Sequence, residues 1–192
     1  METFNDINAQ PLYKERPMPS MMAAVKTCLR DKYATFSGRA RRSEYWWFQL
    51  FQYIISAAIS IVMVISIMVI AFVKISRGSA DDIEAVMYLY NPATWLYVIF
   101  ILAFMIPSIA VACRRLHDIN KSGKLLLIPF VASPVLVIGS IVLAVFYNNL
   151  WFLVPVFYLL TLAVLIIMII WMATKGKPET NKWGPSPKYY RD

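Results

Sequence analysis

The chain has 192 residues, of which 59% are hydrophobic and 16% charged, and it carries a formal net charge of +8. That balance excludes an ordinary soluble domain, and the clustering of the few charges points to a membrane protein. The basic excess lies in short segments beside apolar runs, and nucleic acid is not expected among its partners.

Residues 1–19, with Pro11, Pro17 and Pro19 and no periodic pattern, read as a flexible leader. Ser20 can then cap a helix whose apolar positions Met22, Val25, Leu29, Tyr33 and Phe36 recur at spacings of three and four, which predicts an interfacial helix. The first 45 residues are too polar for a cleaved signal peptide, so the first apolar run is expected to be an uncleaved anchor.

No charged residue occurs from Tyr45 through Val73, from Tyr88 through Cys113, or in the fifty residues from Leu125 through Thr174. As one helix the last run would be about 75 Å long, against a hydrocarbon core of about 30 Å. It must fold back, and Asn148-Asn149 is the natural turn. The fold class is therefore all-α, with four transmembrane helices near 46–73, 94–113, 125–147 and 150–173, inside a membrane domain of residues 20–190 that ends in the tail 174–192. In the first loop Ser79 and Asp82 resemble a capping box, and Ile83, Val86, Met87 and Tyr90 keep helical spacing, which predicts a second surface helix. Pro107, Pro129, Pro134 and Pro155 fall inside the apolar runs and are read as features of bundle geometry.

Lys and Arg resist translocation and so mark the cytoplasmic side. Eight precede the first span, four lie between the second and third (Arg114, Arg115, Lys121, Lys124), and five are in the tail, which leaves only Lys74 and Arg77 for the first loop. Both termini are therefore expected in the cytoplasm. Cys28 and Cys113 fall on the same side and are read as free thiols.

None of the four apolar cores holds a charged residue or a histidine, which disfavours an ion-coupled carrier. Chemistry is concentrated in three polar clusters. In Ser37-Gly38-Arg39-Ala40-Arg41-Arg42-Ser43-Glu44-Tyr45-Trp46-Trp47, arginine forks suited to phosphate meet aromatic residues that settle at headgroup depth. The same residues would equally serve as a topology anchor. The second cluster, Arg114-Arg115-Leu116-His117-Asp118 through Lys121-Ser122-Gly123-Lys124, reads as a tight turn containing the chain's one histidine. A general base at His117, oriented by Asp118 or Glu44, stands beside a purely structural turn. Cys28, Cys113 and His117 lack zinc-ligand spacing, and the Ser-Gly-Lys is not a phosphate loop, so no metal or cofactor is expected. The third cluster is Asn181-Lys182-Trp183-Gly184-Pro185-Ser186-Pro187.

Taken together, Phe36-Ser37-Gly38-Arg39 through Arg42 with Glu44-Tyr45-Trp46, then Arg114 through Asp118 with Lys121-Ser122-Gly123, then Asn181, Trp183-Gly184 and Pro187, resemble the DUF805 family of small bacterial inner-membrane proteins. The chain departs from the family pattern at Lys124, Leu125 and Trp183. The resemblance implies a bacterial inner-membrane location and four helices, and it transfers no catalytic residue.

The leading expectation is a noncatalytic membrane protein. Its cytoplasmic face would bind anionic phospholipid headgroups, or a membrane-protein partner or second copy, through Arg39, Arg42, Arg114 and Arg115, with Glu44 and Asp118 orienting them and His117 beside them. The alternatives are a lipid-directed enzyme using His117, and an accessory transporter subunit or neutral-solute pore.

Overall fold

The computed structural model describes residues 13–76, 91–146 and 153–191, and the chain order is a strand, a short helix, four long helices and a closing strand. Helix α1 (Met21–Lys26) begins at Ser20, whose hydroxyl accepts the Ala23 N–H, and it runs into a wider turn over Thr27–Asp31. Ala24, Val25 and Cys28 form its inward face, while Met22 is 65% exposed. The apolar stripe expected from spacing is thus rotated by about one position, because the small side chains let the helix sit close on its neighbour.

The four long helices are α2 (Arg42–Ser76), α3 (Pro92–Asp118), α4 (Leu127–Phe146, entered through a tight turn at Gly123–Leu126) and α5 (Val154–Ala173). All four are long and apolar enough to cross a membrane by length and composition. Their outward surfaces are apolar throughout, with Ile61, Met68, Phe72, Phe130 and Leu159 more than half exposed, as helices facing lipid require. The expected turn at Asn148-Asn149 and the expected surface helix over 79–90 lie outside the described residues.

Helix α2 packs along α3 and α4 along α5, and α1 lies on the start of α2. The best-packed interior sits at one end of the bundle. There, one cluster joins Val25, Cys28, Ala40, Phe48 and Val111, and a second joins Leu116, Leu126 and Met172. Deeper in the bundle, Gln52 donates to Ser108 (2.8 Å), and near the opposite end Asn91 caps α3 and donates to Ser66 (2.7 Å).

The prolines have separate roles. Pro155 lies in the first turn of α5 and Pro129 in the first turn of α4, where helix N–H groups have no partner within the helix. Pro107 lies mid-helix and brings no N–H to the carbonyl of Ala103 four residues earlier. The hydroxyl of Tyr33 donates to that carbonyl at 2.7 Å. This bond ties the segment after α1 to the middle of α3.

Strands β1 (Lys14–Glu15) and β2 (Tyr189–Tyr190) pair antiparallel, Lys14 with Tyr190 and Glu15 with Tyr189, so the leader and the tail meet.

Candidate functional site

Helix α3 has 22 residues from Pro92 through Cys113 without a charge, about 33 Å of helix, which matches the hydrocarbon core. Its last turn then carries Arg114, Arg115, His117 and Asp118 beyond that core. The sequence reading puts these residues in a turn, whereas the helix continues to Asp118. No Gly or Pro interrupts it there, and Arg115 and His117 complement the negative end of the helix dipole. The reversal comes just after, where Asn120 adopts a left-handed φ of 61° and Lys121 donates its N–H to Leu116.

Asp118 is the hub. One carboxylate oxygen accepts from Arg39 at 2.8 Å and the other from Arg115 at 2.5 Å. The Arg39 fork also donates to the carbonyls of Lys177 (2.6 Å) and Glu179 (2.7 Å), and Arg115 donates to those of Met172 (3.0 Å) and Thr174. These two guanidinium groups therefore fasten the chain leaving α5 onto the end of α3. Gly176 passes so close that a Cβ there would stand 1.9 Å from the Asp118 carboxylate. Only glycine fits that approach.

His117 belongs to the same joint. Its Nδ1 faces the Gly38 carbonyl at 3.0 Å, its Nε2 lies 3.6 Å from the Cys113 thiol, and its ring stacks on Trp183 at 4.3 Å. Asn181 donates to the His117 carbonyl at 2.8 Å. No carboxylate touches the imidazole among the described residues: Asp118 is engaged with two arginines and Glu44 with Arg114 at 2.6 Å. The Cys28 thiol, next to Glu44 and buried, is pushed up to about 12, first by burial and then by the Glu44 charge. No cluster of metal-binding side chains occurs among the described residues.

The structure thus buries six of the expected site residues at this end of the bundle, Arg39 and Arg115 on Asp118, Arg114 on Glu44, and His117 beside them. Arg39, Arg114 and Arg115 are 5%, 1% and 0% exposed, so their side chains face protein. Arg42 stands apart, exposed, with one N–H on the Ala173 carbonyl at 3.2 Å.

Arg42 borders a cavity of about 750 Å³. Arg16, Arg41, Arg42, Lys175 and Lys188 line it together with Trp46, and among the described residues the carboxylates of Glu15 and Asp118 border it. Glu15 pairs with Lys188 at 2.8 Å, and Asp118 is committed to Arg39 and Arg115. Arg16, Arg41, Arg42 and Lys175 have no carboxylate partner among the described residues. Sequence reading missed this grouping, because Arg16, Lys175 and Lys188 lie far apart along the chain. The signal available was that each flanks a segment end on the same side of the charge count.

A second cavity, a cleft of about 690 Å³, opens between the four spans. Trp46, Gln49 and Tyr53 of α2, Phe104 and Ser108 of α3, Phe130 of α4 and Met168 and Met172 of α5 line it.

The model of the family described as "Protein of unknown function (DUF805)" matches residues 33–185, which takes in α2 through α5 and all six of the buried site residues. The chain belongs to the DUF805 family. Among curated proteins, Inner membrane protein YhaI of Escherichia coli (strain K12) is 30% identical over 157 residues, 82% of this chain and 89% of the relative. The same-named protein of Escherichia coli O157:H7 matches to the same extent. No solved structure matches this DUF805 chain.

Proposed function

We propose that this protein is a noncatalytic, four-pass protein of the bacterial inner membrane, with both termini in the cytoplasm, that binds anionic phospholipid headgroups in the basic cavity. The observation that carries this reading is the grouping of Arg16, Arg41, Arg42, Lys175 and Lys188 around one opening beside Trp46. Cations next to an interfacial tryptophan are the chemistry that holds an anionic headgroup at the membrane surface. Arg41 and Arg42 make the phosphate contacts. Arg39 and Arg115 act one layer below, where they hold the tail that supplies Lys175 and Lys188, and Arg114 is paired with Glu44. Helix α1, with Met22 exposed on it and Met18 exposed just before it, rests on the inner leaflet.

A general base at His117 has less support, since no carboxylate among the described residues orients the ring and Trp183 covers one face.

Native mass spectrometry tests the headgroup reading. Wild type titrated with phosphatidylglycerol and phosphatidylcholine should retain the anionic lipid preferentially. Arg41→Gln/Arg42→Gln should weaken that retention by about tenfold or more, at about 1 kcal/mol per cation near the surface. Equal retention by both proteins would sink the proposal. Cytoplasmic termini predict a fluorescent C-terminal green-fluorescent fusion and an inactive alkaline phosphatase fusion, and the reverse pair of results would overturn the orientation.

A further inference from the structure

The two cavities share a wall. Trp46 borders both, and on α5 Met172 lines the cleft while its neighbour Ala173 lines the basic cavity. Along α2 the residues Arg42, Trp46, Gln49 and Tyr53 follow at intervals of four, three and four, which places them on one face of the helix. Each step descends about 5 Å. That face therefore presents, in order of depth, a cation, an interfacial aromatic ring, an amide that can donate to ester carbonyls, and an aromatic wall. An anionic glycerolipid has the same order of groups: phosphate, glycerol, ester carbonyls and hydrocarbon. A soluble phosphate compound would use only the first of these steps.

We infer that the anionic ligand is a membrane lipid held in two parts, its headgroup in the basic cavity and one acyl chain in the cleft between the four spans, with the glycerol region passing Trp46 and Gln49. This rests on the headgroup reading above. It adds that the cleft is reserved for the chain of the lipid held at the surface, and that soluble glycerol phosphate is a poor substitute. Phe104 of α3 and Met168 of α5 flank the seated chain from the two sides.

The test uses the full-length protein in nanodiscs containing a trace of phosphatidylglycerol with a photoreactive diazirine near the middle of one chain. Phosphatidylcholine carrying the same probe is the control, and labelled peptides are mapped by mass spectrometry. The charged probe should label cleft residues of α3 and α5 in excess over the outward faces, and the neutral probe should not show that excess. Ala112→Phe, which puts a ring into the cleft, should abolish the cleft labelling and weaken lipid retention in native spectra while preserving the preference for the anionic headgroup. Arg41→Gln/Arg42→Gln should weaken both together, by about tenfold or more. Glycerol phosphate should fail to displace the lipid at concentrations where soluble phosphatidylglycerol succeeds.

Equal cleft labelling by the neutral probe would overturn the inference, as would displacement by glycerol phosphate at the same concentration. Chain adducts scattered over the outward faces, with headgroup retention still dependent on Arg41 and Arg42, would overturn the inference and leave the headgroup reading standing. Retention indifferent to both arginines would remove both. The wild-type comparison of probes decides the matter even if Ala112→Phe fails to fold.

Discussion

Replacing Tyr33 with Phe removes one hydroxyl and nothing else. In the wild type that hydroxyl donates at 2.7 Å to the Ala103 carbonyl, which Pro107 leaves without its helical partner. A neutral hydrogen bond is worth about 0.5–1.5 kcal/mol net, and polar contacts between membrane helices average about 0.6 and reach about 1.7. Tyr33 is 37% exposed, so the upper end of that range is not reached, and about 1 kcal/mol is expected, near a fivefold change in the unfolding equilibrium. Pro107→Ala supplies an N–H to the same carbonyl. In that background Tyr33→Phe should cost only a few tenths of a kcal/mol, so the double-mutant cycle should show a coupling of several tenths or more. Unfolding in mixed micelles, followed by circular dichroism, measures all four corners. Equal losses in the two backgrounds would refute the assignment of Tyr33 as the donor that replaces the proline N–H.

Asp118→Asn leaves Arg39 and Arg115 buried without their counter-charge, so a loss of about 3–5 kcal/mol is expected, read as release of the tail to trypsin at Lys175, Lys177 and Lys182 under otherwise native conditions. Unchanged cleavage would refute the hub. The β1–β2 strap is expected to depend on pH through Glu15 and Lys188. The Glu15 carboxyl is held below its ordinary 4.5, chiefly by its hydrogen bond from Lys188, so its contribution is complete above pH 4.5 and lost as pH falls through the lowered value. The Lys188 ammonium is raised above 10.5 by the same bond, so its contribution is lost as pH rises through that higher value. Exchange of the Arg16 amide, which donates to the Lys188 carbonyl at 2.8 Å, should be slowest relative to the intrinsic rate between those limits, and Glu15→Gln should flatten the profile. Cys28, fully buried and with its thiol pushed up to about 12, should resist maleimide at pH 8 until the protein unfolds, which intact-mass spectra will report.

Much of the architecture was legible in the order of residues. Charge-free runs longer than the bilayer core require spanning helices whatever their neighbours are, because an unpaired backbone group in hydrocarbon is too costly for another form. The Ser20 cap was equally local, since a serine hydroxyl can reach only the N–H groups of the turn that follows it. The three polar clusters were visible too, as interruptions in apolar sequence. Their division of labour was not. Arg39 and Arg42 are three residues apart and identical in chemistry, yet Arg39 is saturated by Asp118 and the tail carbonyls, and Arg42 faces the open cavity.

The sequence by itself determined the number of spans, the side on which positive charge accumulates, and the family signature, because these depend on local hydrophobicity and residue order. Only the tertiary structure decided which arginines are buried. A guanidinium finds its partners across long intervals, Arg39 with Asp118 and Lys177, Arg114 with Glu44, and no spacing along the chain encodes those meetings. The same holds for the two cavities. Each is a space left between elements, and Trp46 borders both because the start of α2 meets the end of α5, where Arg42 donates to the Ala173 carbonyl.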